Sequence, residues 1–173
     1  SVGGIEEVVV TAQKREESLQ ETPIAITAIT SSTIDDLDIK NVVDMAGISP
    51  NVMLVETPSN NTSATIAMRG GVTINPAITW EPTVGVYLDG VYLGKTQGAI
   101  FDVVDLERVE ILRGPQGTLY GRNTLGGAIN LITKKPNGSG VETKFTLGNY
   151  GLAQAQFITD FEFGNETYGK LVL

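Results

Sequence analysis

The residue types that could do chemistry are concentrated in one glycine-rich loop between two apolar runs. Its glycines are Gly114, Gly117, Gly121, Gly126 and Gly127. Loops that cradle phosphate lie between a strand and a helix and carry a Lys-Ser/Thr pair after the last glycine. Here Ala128 and a strand-like run follow instead, which disfavours a phosphate site. Pattern alone favours a tight glycine turn inside a compact α+β domain.

The composition excludes most other site chemistry. The 173 residues include no Cys and no His, which removes disulfides, thiolate zinc sites and the usual serine-hydrolase triad. Asp35, Asp36 and Asp38 are close together but lack the ligand spacing and the glycine of a calcium loop. We therefore predict that they cap a helix, that the chain holds no metal or cofactor, and that it is not an enzyme.

The charge balance argues against a nucleic-acid partner. Twenty acidic residues outnumber twelve basic ones, for a net charge of −8, whereas nucleic-acid binders show a basic footprint. No apolar run reaches the roughly 20 residues of a membrane-spanning helix. No signal peptide is recognisable, so we expect a cytoplasmic chain, a chain matured by cleavage, or a piece of a longer one.

Hydrophobic patterning predicts short strands separated by short helices and polar loops. Strands are predicted over 5–12, 24–29, 52–55, 65–68, 107–112 and 128–133, and a hairpin over 84–93. A short helix is predicted through about Asp38, with Ser31, Ser32 or Thr33 as its N-cap and Asp35 and Asp36 in its first turn. Two others are predicted over 42–46 and 100–106. Polar loops are predicted over 56–63, 72–82 and 94–98. The strongest hairpin motif is Asp89-Gly90, which predicts a two-residue type I′ turn.

The N-terminal run Ile5–Ala12 reads IEEVVVTA and precedes a polar stretch over 13–22. Its β-branched residues favour an extended backbone. A strand at a chain end, tethered by a polar linker, suits addition to the sheet edge of another protein. An internal edge strand is the alternative that the pattern leaves open.

Two arginines, Arg69 and Arg113, each end an apolar strand and precede a glycine. Burying a guanidinium is costly unless it is paired. The pattern therefore indicates either two exposed surface arginines or two that find carboxylate partners.

The C-terminal part alternates apolar and polar residues over 141–147 and 153–161, with a GNYG turn between them and a third run over 167–173. This alternation is typical of transmembrane β-barrel strands. A soluble antiparallel sheet gives the same pattern.

The stretch VEILRGPQGTLYGRNTLGGAINLITKKP closely resembles the segment that closes the plug of TonB-dependent outer-membrane receptors. The resemblance covers 109–135 and includes the Arg-Gly-Pro, Tyr-Gly, Gly-Gly and Thr-Lys elements in order. It implies an α+β, plug-type domain of short mixed strands and short helices. An antiparallel β-hairpin that begins a transmembrane β-barrel would follow. The implied domains are a flexible segment over 1–22, the plug over 23–136 and truncated barrel strands over 137–173.

The same resemblance implies roles for particular residues. A TonB box that pairs with the periplasmic domain of TonB corresponds to Glu7, Val8, Val9, Val10, Thr11 and Ala12. Arg69 and Arg113 match plug arginines that pair with glutamates of the barrel, which lie outside this sequence. Candidate ligand contacts in outward loops are Asn60, Asn61, Asn75, Trp80, Lys95 and Gln97.

The function implied is the gating and ligand-contacting plug of an outer-membrane active transporter, with its N-terminal segment facing the periplasm. The implied cargo is a ferric siderophore or a similar scarce nutrient. The alternative is a free-standing soluble α+β binding domain, in which the C-terminal hairpin completes a small sheet.

Overall fold

The structure is a computed structural model that describes residues 9–11, 17–18, 24–45, 47–57, 60–72, 82–94, 105–121, 124–164 and 167–173. The chain divides into two compact units, Ser1–Thr133 and Lys134–Leu173. Across the described ranges, none of the helices has the length and apolar character that crossing a membrane requires.

The first unit consists of ten short strands, two α-helices and one 3-10 helix within its described ranges. In chain order the strands are β1 Val9–Val10, β2 Glu17–Ser18, β3 Ile26–Thr30, β4 Val52–Thr57, β5 Asn60–Met68, β6 Gly71–Val72, β7 Val84–Leu88, β8 Val91–Tyr92, β9 Leu106–Arg113 and β10 Gly127–Thr133. The helices are α1 Ser31–Asp36, the 3-10 helix Val42–Met45 and α2 Gly117–Tyr120.

A five-stranded sheet in the order β3-β9-β10-β7-β8 forms the centre of this unit. β10 lies antiparallel to β9 and parallel to β7. The central strands are nearly continuous apolar runs because side chains on both faces are buried. One face packs against a large cluster that includes Ile29, Val109 and Ile129, and the other against a smaller cluster around Tyr87 and Leu112.

A second sheet, β4-β5-β6, contributes to the large cluster through residues such as Leu54 and Met68. The prediction of a polar loop over 56–63 is wrong, because β4 continues to Thr57 and β5 starts at Asn60. Thr57 pairs with Asn60 across an irregular register. Cross-strand pairing extends this hairpin through polar residues that local pattern assigns to a loop.

The turn at Asp89-Gly90 is confirmed. Both residues have positive φ, +48° and +80°, as a type I′ turn requires. It brings Tyr87 opposite Tyr92, with ring centroids 5.4 Å apart. The Asp89 carboxylate accepts hydrogen bonds from the backbone and hydroxyl of Thr133 at 2.9 Å. The turn is therefore tied to the end of β10.

The first helix is shorter than predicted. Thr30 is its N-cap, and the Thr30 hydroxyl accepts a bond from the Thr33 N–H at 3.4 Å. The helix ends at Asp36, so Asp35 and Asp36 lie in its last turn rather than its first. The prediction placed the cap one or more residues too late, because Thr30 belongs equally to β3 and to the helix start.

Two other predicted helices also change. The segment at 42–46 is a 3-10 helix over Val42–Met45, with the Asn41 side chain accepting from the Val43 N–H at 2.7 Å. Leu106 begins β9 rather than ending a helix, and Asp105 before it has a φ of +58°. Residues 100–104 of that predicted helix lie outside the described residues.

The second unit is an antiparallel three-stranded sheet of β11 Ser139–Leu147, β12 Ala153–Gly164 and β13 Thr167–Val172. The predicted alternation is confirmed: Thr143 pairs with Phe157 and Phe145 with Ala155 on one face. On the opposite face Lys170 approaches Asp160 at 3.7 Å. In both units the described residues are mostly strands, with little helix. Strands therefore dominate the fold that was predicted as α+β.

Candidate functional site

The glycine-rich loop is held in shape by its own backbone. The Gly114 N–H donates to the Gly126 carbonyl at 3.0 Å, and the Gln116 N–H donates to the Thr124 carbonyl at 3.0 Å. The Gly126 N–H donates to the Thr83 carbonyl at 2.9 Å. These three amides are engaged within the protein, and β10 rather than a helix follows the loop. Both facts disfavour a phosphate cradle.

The first glycine of the loop, Gly114, directly follows Arg113 and lies beside the side chain of Arg69. Arg113 is the last residue of β9, and its backbone N–H donates to the Ala25 carbonyl at 3.0 Å. Arg69 lies in the two-residue turn between β5 and β6, with a φ of +47°. A Cβ added to Gly114 would lie 3.0 Å from Arg69 Nη1. The Arg69 guanidinium therefore rests on the residue that follows Arg113.

Neither arginine has a carboxylate within ion-pair distance among the described residues. The Nε of Arg113 is buried and has no hydrogen-bond partner within the described part of the chain. A cavity of about 410 Å³ lies beside Arg69 and is lined also by Asn51, Met53 and Ala67. A buried donor without an acceptor is costly, so Arg113 Nε fits an acceptor from outside the described residues.

A second polar cluster crosses the middle of the five-stranded sheet. Ala28, Glu110, Asn130 and Tyr87 lie in one row across β3, β9, β10 and β7. Glu110 is 0% exposed. Its carboxylate accepts from Arg108 Nε at 2.9 Å and from Asn130 Nδ2 at 3.4 Å. Such pairing is what allows a charge to be buried.

The N-terminal segment docks on this cluster. The Thr11 N–H donates to Glu110 Oε1 at 2.6 Å, and its hydroxyl lies 2.9–3.0 Å from both carboxylate oxygens. The Tyr120 hydroxyl donates to the Thr11 carbonyl at 3.3 Å. Val10 is 0% exposed, and β1 pairs antiparallel with β2. The polar stretch after the valines therefore contains a strand that the sequence pattern does not predict.

Aromatic side chains complete the cluster. The Tyr87 hydroxyl donates to the Tyr120 carbonyl at 2.7 Å, and the two rings lie 5.0 Å apart, edge to face. Burial, and then the charges of Tyr92 and Tyr120, raise the pKa of Tyr87 above its ordinary 10.0. Burial also raises the pKa of Tyr120, a hydrogen bond from Asn130 opposes that shift, and nearby Glu110 adds to it. Both phenols are therefore neutral donors at physiological pH.

Local sequence patterns do not single out Glu110, Arg108, Asn130 or Tyr120. One signal was available, since Glu110 interrupts the apolar run of the strand predicted over 107–112. A charge in such a run is buried and needs partners. The identity of those partners depends on cross-strand register and on the return of the N-terminus.

The structure describes only some of the other predicted site residues. Val9, Val10 and Thr11 are described, whereas Glu7, Val8 and Ala12 lie outside the described residues. Asn60 and Asn61 begin β5 at the turn end of its hairpin with β4 rather than standing in a loop. Asn75, Trp80, Lys95 and Gln97 lie outside the described residues. Within the described ranges no group of three or more acidic side chains could hold a metal ion.

Comparison with known families identifies the class of protein that this fold and these sites define. The family described as the TonB-dependent Receptor Plug Domain matches residues 18–128. The chain therefore belongs to that family, which confirms the resemblance found in the glycine loop. Membership does not favour a free-standing soluble domain. It also supports the prediction that the chain is not an enzyme, and it implies an outer-membrane location.

Individual relatives are consistent with this family assignment. The vitamin B12 transporter BtuB of Vibrio vulnificus is 30% identical over 169 residues, covering 95% of this chain and 27% of that protein. The catecholate siderophore receptor Fiu of Escherichia coli is 31% identical over 156 residues, covering 87% of this chain and 19% of that protein. The chain thus spans about a fifth to a quarter of the length of these relatives.

A solved structure shows the same architecture. The ferric yersiniabactin uptake receptor FyuA of Yersinia pestis superposes with a TM-score of 0.76 at 25% identity, covering 86% of this chain and 23% of that one. The mostly stranded arrangement described above is therefore a plug-like fold.

Proposed function

We propose that this chain is the gating plug of an active transporter that TonB energises at the outer membrane. The observation that carries the proposal is the family match over 18–128, joined to an N-terminal strand that ends on the plug sheet. The plug would fill the lumen of its barrel and yield when the N-terminal segment is pulled from the periplasm. Force applied along a strand loads its ladder hydrogen bonds together, which suits a pulling partner.

The TonB box is proposed at Glu7–Ala12, on the periplasmic side. Support comes from Val9 and Val10, which are extended and already form a two-stranded ladder with Glu17 and Ser18. An incoming strand of the TonB C-terminal domain would pair with the same kind of backbone edge.

The strand-end arginines are proposed to pair with carboxylates on the inner wall of the barrel. The buried, unpartnered Nε of Arg113 and the open cavity beside Arg69 support this role. A bidentate guanidinium–carboxylate pair needs fixed geometry, and the hydrogen-bonded glycine loop supplies it on the plug side. Such pairs would hold the plug in place between transport cycles.

The second unit is proposed to begin the barrel. Its apolar face is exposed, with Phe145 at 75% and Leu147 at 83%, while the other face carries the Lys170–Asp160 pair. An apolar outer face and a polar inner face are what a barrel strand in lipid requires. Matched indoles introduced by Phe145→Trp and Thr146→Trp test the orientation in lipid vesicles. Bromolipids should quench the first and spare the second, and equal quenching would refute it.

The cargo is proposed to be a ferric siderophore or a comparably scarce nutrient. Among the relatives, Fiu is a catecholate siderophore receptor, FyuA takes up ferric yersiniabactin and BtuB transports vitamin B12. The proposed ligand contacts are the six loop residues predicted from the sequence. Asn60 and Asn61, at the tip of the β4–β5 hairpin, are the two that the structure describes.

Binding of the purified TonB C-terminal domain to the detergent-solubilised 173-residue chain tests the proposal. Val9→Pro removes a backbone donor and should abolish strand pairing. Val9→Ala keeps the backbone and is the matched control, so it should bind within a few-fold of the unaltered chain. The proposal fails if Val9→Pro and deletion of residues 5–12 both bind as well as the unaltered chain.

A further inference from the structure

The buried carboxylate of Glu110 has a hydrogen-bonding capacity that its own sheet does not fill. An ionised carboxylate offers about four lone-pair sites. Arg108 and Asn130 donate one bond each from the sheet, at 2.9 and 3.4 Å. Among the described residues, the other two donors are the N–H and the hydroxyl of Thr11, which is 99 residues away in sequence. Glu110 is therefore saturated only while Thr11 is docked.

Docking also uses both backbone groups of Thr11. Its N–H is committed to Glu110 at 2.6 Å, and its carbonyl accepts from the Tyr120 hydroxyl at 3.3 Å. A partner strand that pairs at residue 11 needs one or both of these groups. The same N–H cannot serve Glu110 and an incoming strand at full strength. Val10, which is 0% exposed, would also have to leave its packing.

We infer that Glu110, assisted by Tyr120, is a latch that competes with the TonB strand for Thr11. This inference rests on the proposed function, since it assigns a regulator to the proposed TonB box. In the latched state the exposed part of β1 is Val9, while Val10 and Thr11 are held against the sheet. Full pairing with TonB requires that the latch open.

The latch is placed so that opening it reaches the centre of the plug. Glu110 lies on β9, between β3 and β10, and not on a sheet edge. When Thr11 leaves, two of four donors to a buried carboxylate leave with it, and water must replace them. A pull on the N-terminus is therefore delivered directly to the internal strand β9, two residues before its Leu112–Arg113 end.

Amide hydrogen exchange at residue 11 tests the latch without TonB. Two variants of the detergent-solubilised 173-residue chain are compared with the unaltered chain. Thr11→Val removes the hydroxyl donor, and Glu110→Gln removes the charge at nearly constant shape. Thr143→Val, the same chemical change on an exposed strand of the second unit, is the matched control. Hydrogen bonds to charged groups are about twice as strong as neutral ones, so exchange at residue 11 should accelerate about tenfold in both variants and not in the control.

TonB affinity then tests the competition. Glu110→Gln leaves the box sequence intact, so the TonB C-terminal domain should bind it several-fold more tightly than the unaltered chain. Faster exchange in both variants together with tighter binding supports the latch. Unchanged exchange in Thr11→Val overturns it, whether or not Glu110→Gln folds. Faster exchange with unchanged affinity overturns the competition with TonB. If TonB binds none of the chains, the proposed function fails, and the exchange data alone decide whether Thr11 is latched.

Discussion

The strand β9 carries two charged sites that the protein treats in opposite ways. At its middle, Glu110 is completely buried and accepts from Arg108, Asn130 and Thr11. At its end, Arg113 buries Nε without a partner in the described part of the chain. A satisfied buried charge stabilises the unit that contains it, whereas an unsatisfied one costs stability until a partner arrives. The first site therefore stabilises the plug itself, and the second is where the partner proposed above would add stability.

The largest expected effect breaks the satisfied site. Glu110→Ala leaves the Arg108 guanidinium, the Asn130 amide and the Thr11 donors without their common acceptor. Removing one partner of a buried ion pair costs about 3–5 kcal/mol. Chemical denaturation of the detergent-solubilised chain should show a loss of this size. A loss below about 1 kcal/mol would mean that water reaches the carboxylate, and the contrast with Arg113 would disappear.

The glycine-rich loop next to Arg113 should tolerate substitution almost as poorly. A Cβ at Gly127, where φ is +153°, would collide with the Leu112 carbonyl oxygen and lie 2.6 Å from Met68 Sδ. We expect Gly127→Ala to cost about 2–3 kcal/mol, typical of overpacking. Gly117→Ala meets nothing within 4 Å and should change stability by less than about 0.5 kcal/mol. If the two variants had the same melting temperature, the glycine-rich loop would not be rigid.

Alkaline pH should weaken the satisfied site. The pKa values of Tyr87 and Tyr120 are raised above 10.0, mainly by burial. The folded state therefore holds these protons more tightly than the unfolded state, and stability falls as pH rises above about 10 towards the folded pKa values. The midpoint of unfolding should decline more steeply between pH 9 and 11.5 for the unaltered chain than for Tyr87→Phe. Parallel curves would contradict the assignment.

The smallest expected effect is at the unsatisfied site itself. Arg113→Met keeps much of the side-chain volume and removes the buried, unpartnered Nε, so this chain should become more stable by about 1 kcal/mol. In a complete receptor the same change should loosen the plug if the arginine pairs with the barrel. Denaturation of the chain measures the first part, and a loss above about 2 kcal/mol would show that Arg113 already has a partner inside it.

Local patterns determined much of this protein. Asp89-Gly90 specified its turn because few residue pairs adopt two positive φ values easily. The alternation over 141–161 specified the faces of β11 and β12 because the period of a strand is two. The spacing of Arg-Gly-Pro, Tyr-Gly and Gly-Gly identified the family. In each case a few adjacent residues contain all the necessary information.

The tertiary structure decided what depends on residues distant in sequence. The polar residues at 56–57 and 60–63 belong to strands because β4 and β5 pair with each other. Thr30 rather than Ser31 caps α1 because β3 ends at Thr30. Thr11 finds Glu110 across 99 positions, and Arg69 reaches Gly114 only after two sheets have folded. Such contacts depend on strand register and on how the chain folds back to bring distant residues together. A local sequence pattern contains neither.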